Sequence, residues 1–193
     1  MATQYNREKH HRRSIRLKAY NYSQSGMYFV TICTRNRECL FGVLTDDEVR
    51  LTDSGRLASV TWKELPSRFP TVSLDSFVIM PNHIHGIIIV ASMLHNHMDT
   101  AEEGAMNRAP TLGEIIRSYK AASTRMIRQT ANANFAWQRN YYEHIVRSDE
   151  SLNRIRQYIL ENPSRWAIDR ENPDASNPEA ENPWEEKIKT SSK

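Results

Sequence analysis

Hydrophobic side chains recur along this chain with two different periods, and each period predicts one type of secondary structure. Runs of β-branched and aromatic residues next to turn-forming residues predict strands, whereas apolar residues three and four positions apart predict helices. The predicted strands cover residues 27–34, 72–80 and 84–90, with a short hairpin arm at 40–44. The predicted helices cover residues 53–65, a stretch that opens at Thr111, and residues 148–161.

Local signals mark the ends of these helices. Pro66 follows the first helix and is expected to close it. Thr111 and Glu114 have the spacing of a capping box at the start of the second helix. Ser148 precedes two acidic residues and is the expected N-cap of the third. The predicted buried positions are Leu112, Ile115, Ile116, Tyr119 and Ala122 on the second helix, and Leu152, Ile155 and Ile159 on the third.

Composition adds a size class and a compartment. At 193 residues, with 39% hydrophobic and 25% charged residues, the chain suits one domain with an ordinary core. Its longest apolar run, residues 86–91, has the length of a strand, and the basic start has no apolar signal-peptide core. Cys33 and Cys39 lack CxxC spacing and are expected to be reduced thiols. We therefore expect an intracellular location.

Charge is unevenly distributed, and its distribution suggests three regions. These are a basic arm at residues 1–20, a domain at 21–168, and an acidic tail at 169–193 that is rich in Asn-Pro pairs and expected to be disordered or loosely docked. A basic arm binds phosphate backbones by releasing counterions, although a solvated end has the same composition. The arm residues predicted to bind DNA are Arg12, Arg13, Arg16 and Lys18.

Two further groups of basic residues are candidates for nucleic-acid binding. The second helix presents Arg117, Lys120, Arg125 and Arg128, mostly on its polar side, and the first three are the predicted DNA contacts. Arg139 has three aromatic neighbours that could stack on a nucleotide or pack in the core around the last strand, and the sequence leaves both readings open. These neighbours are Trp137, Tyr141 and Tyr142.

A His-Ile-His triplet, residues 83–85, stands where the last predicted strand begins. Alternate side chains of a strand leave the same face, so His83 and His85 would project together, about 6 to 7 Å apart at Cα, while Ile84 enters the core. Two imidazoles placed in this way can hold one metal ion. The triplet alone is also compatible with two ordinary polar strand residues.

The end of the third helix carries a second candidate group. Tyr158 and Asn162 are four residues apart, so a phenol and a carboxamide share one helical face just before Pro163 stops the helix. The alternative is that Asn162 only terminates the helix and that Tyr158 lies at the rim of the core.

Three ordered blocks give the chain a family resemblance. They are the Met-Pro-Asn-His-Ile-His-Gly segment at 80–86, the Trp-Gln-Arg-Asn-Tyr-Tyr-Glu-His-Ile-Val-Arg segment at 137–147, and Tyr158 with the Asn162-Pro163 pair. In this order they resemble the REP-associated tyrosine transposases, a branch of the single-tyrosine HUH transposases. The resemblance covers roughly residues 10–166.

The resemblance implies an α+β fold with a ferredoxin- or RRM-like antiparallel sheet covered by helices. It implies that His83 and His85 are metal ligands, that Asn162 is a third ligand, and that Tyr158 is the nucleophile that forms a 5′-phosphotyrosine. Two imidazoles and an amide oxygen suit Mg²⁺ or Mn²⁺ better than a thiolate-rich zinc site does. The implied partner is single-stranded or hairpin DNA, cleaved and rejoined in the cytoplasm in association with the nucleoid.

Two other functions remain open at this stage. A non-catalytic, RRM-like nucleic-acid-binding module, such as a domesticated transposase, would also carry the basic arm. A small metal-dependent hydrolase would use the same histidines with water as the nucleophile. The sequence also leaves open whether the protein is a monomer or a homodimer that shares its tyrosine helix between subunits.

Overall fold

The computed structural model describes residues 25–91 and 110–178, which form six strands and four helices. The strands are β1 (Gly26–Cys33), β2 (Gly42–Thr45), β3 (Glu48–Leu51), β4 (Val72–Ile79), β5 (His83–Val90) and β6 (Tyr142–Val146). The helices are α1 (Asp53–Lys63), α2 (Leu65–Arg68), α3 (Leu112–Thr130) and α4 (Asp149–Glu161). Short 3-10 turns occupy Arg35–Arg37 and Pro163–Ile168.

Four strands form one antiparallel sheet in the order β4, β5, β1, β6. The chain order β1, α1, β4, β5, α3, β6 is the βαββαβ order of ferredoxin-like folds. In the central pairing of β1 with β5, Thr31 lies opposite His85 and Cys33 lies opposite His83. The predicted fold class, an α+β protein with an antiparallel sheet covered by helices, is therefore confirmed.

The sheet separates two hydrophobic cores. On one face, α1 and α3 contribute Trp62 and Tyr119, whose rings meet edge to face with their centroids 5.2 Å apart. On the other face, α4 buries Leu152, Ile155 and Ile159 against the sheet. Side chains on β5 alternate between the faces, with Ile84 and Ile88 in the first core and Ile87 in the second. His83 and His85 therefore lie on the α4 face, as Ile87 does.

Local chemistry explains where the helices begin. The hydroxyl of Thr52 caps α1 by accepting from the Gly55 amide, and the predicted capping box of Thr111 and Glu114 is present at α3. The predicted cap of α4 is also present, since the Ser148 hydroxyl accepts from the Ser151 amide. These caps satisfy amides that have no partner within the first helical turn.

Gly86 allows the sheet and α1 to approach closely. A Cβ atom at this position would lie 2.4 Å from Cζ2 of Trp62, so a larger residue would push the indole away from β5. The close approach is on the face opposite His85. Gly86 thus allows α1 to pack closely against the face of β5 that is opposite the histidines.

Three details differ from the sequence prediction. The helix predicted to end at Pro66 instead ends at Lys63, and the proline lies in the first turn of α2, where a missing amide is tolerated. The predicted arm at 40–44 is β2, and its partner β3 follows a turn in which Asp46 and Asp47 have φ values of 51° and 61°. Strand β6, whose bounds the pattern did not give, forms an edge of the main sheet.

Part of the predicted organisation lies outside the described residues, namely the whole basic arm and the tail after residue 178. Among the helices that the structure describes, none combines the length and the apolar character needed to cross a membrane.

Candidate metal and tyrosine site

The two histidines of the triplet lie side by side beneath α4. Both side chains are buried, and their ring centroids are 4.4 Å apart. Phe29 on the neighbouring strand stacks on His85 with a centroid distance of 5.3 Å. The shared face expected from strand alternation is therefore present.

A neighbouring side chain engages Nδ1 of each imidazole. His83 Nδ1 lies 2.8 Å from Oδ1 of Asn82, which can only accept, so this nitrogen carries the proton. His85 Nδ1 lies 2.9 Å from the hydroxyl of Thr31. Partners of this kind fix the ring orientation and leave Nε2 available for another contact.

A carboxylate from the far end of the described chain completes the group. Oδ2 of Asp169 lies 3.8 Å from His83 Nε2 and 4.0 Å from His85 Nε2. The Asp169 side chain is 1% exposed, and its other oxygen accepts from the Glu171 amide at 2.6 Å. With neutral imidazoles these contacts are not ion pairs, so neither histidine neutralises the buried carboxylate.

Several buried polar atoms at this point have no hydrogen-bond partner among the described residues. They include His83 Nε2 and Asp169 Oδ2. Leaving such atoms unpaired costs roughly 1–3 kcal/mol each, more for a charged group. The donor atoms of His83, His85 and Asp169 all lie within 4.8 Å of one another, and a mixed nitrogen and oxygen set is chemically suited to a divalent ion. The residues present therefore fit a metal ion.

Burial keeps both imidazoles neutral. It lowers the pKa of His83 to about 3, with a smaller contribution from the Arg37 guanidinium. Burial also lowers the pKa of His85 well below its ordinary value, the adjacent His83 lowers it further, and Asp169 opposes the shift. Neutral imidazole is the form that binds metal ions, so the pair is ready to act as ligands at neutral pH.

Tyr158 reaches this group from α4. Its hydroxyl lies 3.4 Å from His85 Nε2, and its ring meets Phe29 edge to face at 6.1 Å. The guanidinium of Arg165 lies 5.9 Å from the ring centroid. The face of α4 that closes the second core thus also brings a phenol to the histidines of the same chain.

A cavity of about 250 Å³ opens beside Tyr158. The residues that line it include both members of the Tyr141-Tyr142 pair and the segment around Gln138 and Asn140. Two basic side chains, Arg37 and Arg170, also reach it. Both arginines also contact the Glu171 carboxylate, which lines the cavity as well, so their positive charge is partly neutralised. The cavity therefore combines aromatic rings, hydrogen-bonding groups and paired charges next to the phenol.

Asn162 lies one helical turn beyond Tyr158, at the C-cap of α4. Its side chain is fully buried, and neither Oδ1 nor Nδ2 has a hydrogen-bond partner among the described residues. An asparagine that only ended the helix at the surface would have water as a hydrogen-bond partner for both atoms. The carboxamide is thus available to a ligand.

The residues predicted to bind DNA fall into different surroundings. Arg117, Arg125 and Arg139 are exposed. Lys120 is half-buried, and its ammonium group donates to the carbonyls of Gln138 at 2.8 Å and Asn140 at 2.9 Å. Burial lowers the pKa of this lysine to about 8. Lys120 therefore holds the loop that carries Arg139, whereas the four arm residues Arg12, Arg13, Arg16 and Lys18 lie outside the described part of the chain.

The sequence left open whether the three aromatic neighbours of Arg139 stack on a nucleotide or pack in the core. The structure gives different answers for the tryptophan and for the two tyrosines. Trp137 is buried, and its Nε1 donates to the hydroxyl of Ser123 at 3.0 Å, so it is a core residue. Tyr141 and Tyr142 are partly buried and line the cavity. The tyrosine pair is thus placed to meet a ligand, and the tryptophan is not.

Sequence reasoning does not identify Asp169. The residue follows the 3-10 turn at Pro163–Ile168, at the point where acidic residues become frequent, and it falls within the predicted acidic tail. One acidic residue among several gives no periodic signal. Its role depends on the path of the chain back to the β4–β5 turn, which only the structure provides.

Comparisons with known proteins relate the chain to one family. No protein-family model matches it. Over 176 residues it is 43% identical to an uncharacterized protein of Haemophilus influenzae, and the match covers 88% of this chain and 98% of that protein. A second protein of that organism, named "Putative REP-associated tyrosine transposase", is 23% identical over 143 residues, which are 74% of this chain and 73% of the relative.

A solved structure has the same fold. It is a REP-associated tyrosine transposase bound to a REP hairpin, with a TM-score of 0.51 and 18% sequence identity. The match covers 78% of this chain and 74% of that chain. The resemblance predicted from the sequence motifs is thereby confirmed.

Proposed function

Because this chain belongs to one family with the uncharacterized Haemophilus influenzae protein and has the fold of a REP-associated tyrosine transposase, we propose that it is a single-strand DNA transposase. It cleaves and rejoins single-stranded or hairpin DNA through a covalent 5′-phosphotyrosine on Tyr158. A divalent ion, Mg²⁺ or Mn²⁺, is the cofactor in this proposal.

One observation carries the proposal. The hydroxyl of Tyr158 lies 3.4 Å from Nε2 of His85, one of three buried groups suited to a metal ion. In the described residues, a phenol and a candidate metal site thus meet at the wall of a cavity that also presents basic and aromatic side chains. A nucleophile, a site for a divalent ion and space for a nucleotide are the parts that this reaction needs.

His83, His85 and Asp169 are the residues that would hold the ion. The buried Asn162 carboxamide at the C-cap of α4 is the further ligand that the motif resemblance implies. When bound there, a divalent ion supplies Lewis-acid polarisation of the scissile phosphate and screens its negative charge. The protein excludes water from the group by covering it with α4 and by burying all three side chains.

The chemical step is a phosphodiester exchange. The Tyr158 oxygen bonds to phosphorus, the bond from phosphorus to the 3′ oxygen breaks, and the leaving strand ends in a 3′-OH. The phenol loses its proton and the departing 3′ oxygen gains one, so the step needs no oxidant and no ATP. A 3′-OH of the same or another strand can reverse it, because one phosphodiester has replaced another.

The substrate is expected to be unpaired at the cleavage site because aromatic rings line the cavity. Tyr141 and Tyr142 would stack on an unpaired base beside the nucleophile. Arg117, Arg125 and Arg139 would contact phosphates further along the strand, and the basic arm would do so beyond the described residues.

The test is a denaturing gel of the protein incubated with a DNA hairpin and Mn²⁺. We expect a hairpin labelled at its 3′ end to migrate with the protein, since the 5′ phosphate of that fragment stays on tyrosine. A label at the 5′ end should appear only in a shortened oligonucleotide. A fully duplex DNA of the same sequence is the matched control and should give neither product.

Each alternative function gives a different gel. Cleavage without any protein-linked label would indicate a hydrolase that uses water. Retention of the hairpin on a native gel without cleavage would indicate a nucleic-acid-binding module. A 5′ label that migrates with the protein would overturn the assigned polarity of the linkage.

A further inference from the structure

Asn82 occupies the tight turn between β4 and β5 and has no solvent exposure. Its Nδ2 donates to the carbonyl of Glu171 at 2.7 Å and to that of Arg37 at 3.0 Å. Its Oδ1 accepts from Nδ1 of His83 at 2.8 Å. One side chain thus connects three segments that are distant in sequence: the turn after β1, the first histidine of β5, and the chain beyond α4.

The two carbonyls determine which way the amide is oriented. Both can only accept, so they must face the nitrogen of Asn82, and its oxygen must then face His83. Because that oxygen accepts, His83 carries its proton on Nδ1. Nε2 of His83 is left with its lone pair, and it lies 3.8 Å from Asp169 Oδ2.

The same amide holds the segment that carries Asp169. The carbonyl of Glu171 rests on Asn82, its amide donates to Asp169 at 2.6 Å, and its carboxylate pairs with Nε of Arg37 at 2.9 Å. Glu171 is therefore fixed through its carbonyl, amide and side chain. Asp169 sits two residues earlier, so its position opposite the histidines depends on this anchor.

The turn after β1 belongs to the same network. Asn36 and Arg37 have φ values of 57° and 56°, in the left-handed region that tight turns use and that Asn adopts more readily than most residues. Here the Arg37 carbonyl is bonded to Asn82, and its guanidinium is bonded to Glu171.

We propose that Asn82 is the positioning residue of the metal site. It fixes His83 in the tautomer with a free Nε2, and it anchors the 169–171 segment so that the carboxylate faces that nitrogen. The proposal rests on the metal site of the proposed function, but it makes no use of cleavage activity. It also explains how residues from the middle and the end of the described chain form one site.

The tautomer can be measured in the metal-free wild-type protein. Long-range ¹H–¹⁵N NMR on protein labelled at histidine distinguishes a protonated from an unprotonated ring nitrogen, and a His83→Gln variant assigns the signal. We expect Nδ1 of His83 to be protonated and Nε2 unprotonated. The opposite tautomer in the wild-type protein would overturn the proposal without any variant of Asn82.

Two substitutions separate the two parts of the role. Asn82→Asp still accepts from His83 but cannot donate to the carbonyls, so the tautomer should persist while the Glu171 amide exchanges with solvent faster. Asn82→Ala should lose both effects, and its Mn²⁺ affinity by calorimetry should fall about 10- to 100-fold. Wild-type tautomer and wild-type affinity in Asn82→Ala would overturn the proposal. If this variant does not fold, the tautomer in the wild-type protein and the amide exchange in Asn82→Asp still test the role of Asn82.

Ser123→Ala is the matched control. Ser123 is also fully buried and also bridges two groups, donating to the Tyr119 carbonyl at 2.7 Å and accepting from Trp137, but it lies on the opposite face of the sheet. Its loss should lower stability and leave the His83 tautomer and Mn²⁺ affinity unchanged. A wild-type protein that shows the expected tautomer but binds no Mn²⁺ would refute the metal in the proposed function, and the hydrogen-bond assignment would stand.

Discussion

The hydroxyl of Tyr158 and Nε2 of His85 are 3.4 Å apart within one chain. The contact joins α4 to β5 across the second core, where both residues also touch Phe29. A single subunit therefore contains the candidate nucleophile and the candidate metal ligands. A dimer is not required to bring them together.

Tyr158→Phe removes the phenolic oxygen and keeps the ring that packs on Phe29. We expect the variant to fold and to bind hairpin DNA like the wild type, while the covalent adduct and cleavage fall below detection. Both are measured on denaturing gels with Mn²⁺ and labelled hairpin. Tyr142→Phe is a close control because its ring also contacts Phe29 and lines the same cavity, and it should retain adduct formation. Adduct at the wild-type rate in Tyr158→Phe would refute the nucleophile assignment.

Asp169→Asn should raise the melting temperature of the metal-free protein and reduce the stabilisation that Mn²⁺ provides. Without metal, the substitution removes a buried negative charge whose Oδ2 lacks a partner in the described residues, so the melting temperature should rise, by about 2–4 °C for each 1 kcal/mol of relieved destabilisation. With Mn²⁺, the stabilisation should be smaller than in the wild type, because affinity falls by at least about tenfold. Thermal melts with and without Mn²⁺ measure both effects.

Asp174→Asn controls for the loss of one acidic residue from the same segment, because Asp174 is exposed. It should leave both melting temperatures near the wild-type values. Equal stabilisation of Asp169→Asn and wild type by Mn²⁺ would exclude the carboxylate as a ligand.

The candidate site shows which parts of a structure a sequence can predict. The shared face of His83 and His85 follows from strand alternation, and the common direction of Tyr158 and Asn162 follows from helical periodicity. Both are local relationships. The proximity of the histidines to Tyr158 follows only from the motif resemblance, because the order of the motifs along the chain indicates one known fold.

Asp169 and Asn82 could not be assigned in this way. The role of Asp169 depends on a chain path that returns from the end of α4 to the start of β5, and the role of Asn82 depends on carbonyls 45 and 89 residues away. Neither relationship has a period or a composition signal. For Lys120 the sequence suggested a role that its contacts do not match. Its place on a polar helix face suggests DNA binding, but its ammonium group donates to two backbone carbonyls.

The basic arm and the exposed arginines of α3 should contribute separately to DNA binding. Deleting residues 1–18 should weaken hairpin binding and reduce the slope of log affinity against log salt by about 0.7–0.9 for each phosphate that the arm neutralises in the full-length protein. Replacing Arg117 and Arg125 together by glutamine tests the helix surface in the same assay. Identical slopes for the truncated and full-length proteins would mean that the arm binds no phosphates. A matched scrambled hairpin shows whether either surface reads sequence.

The ion pair between Asp75 on β4 and Arg156 on α4 should make stability depend on pH in the acidic range. Arg156 Nη2 and Nε contact the two carboxylate oxygens at 2.6 and 2.9 Å, and this hydrogen bonding lowers the pKa of Asp75 to about 2. The folded state thus holds Asp75 ionised at pH values where the unfolded chain binds a proton, so the contribution is complete above about pH 5 and is lost as the pH falls toward 2. Urea unfolding between pH 2 and 6 should show that the free energy of unfolding falls more steeply with acid in the wild type than in Asp75→Asn, with a constant difference above pH 5.

The buried histidines also destabilise the metal-free protein on acidification, but they are present in both proteins and cancel in the comparison. Parallel curves for the two proteins would show that this pair does not fasten the helix bearing Tyr158 to the sheet.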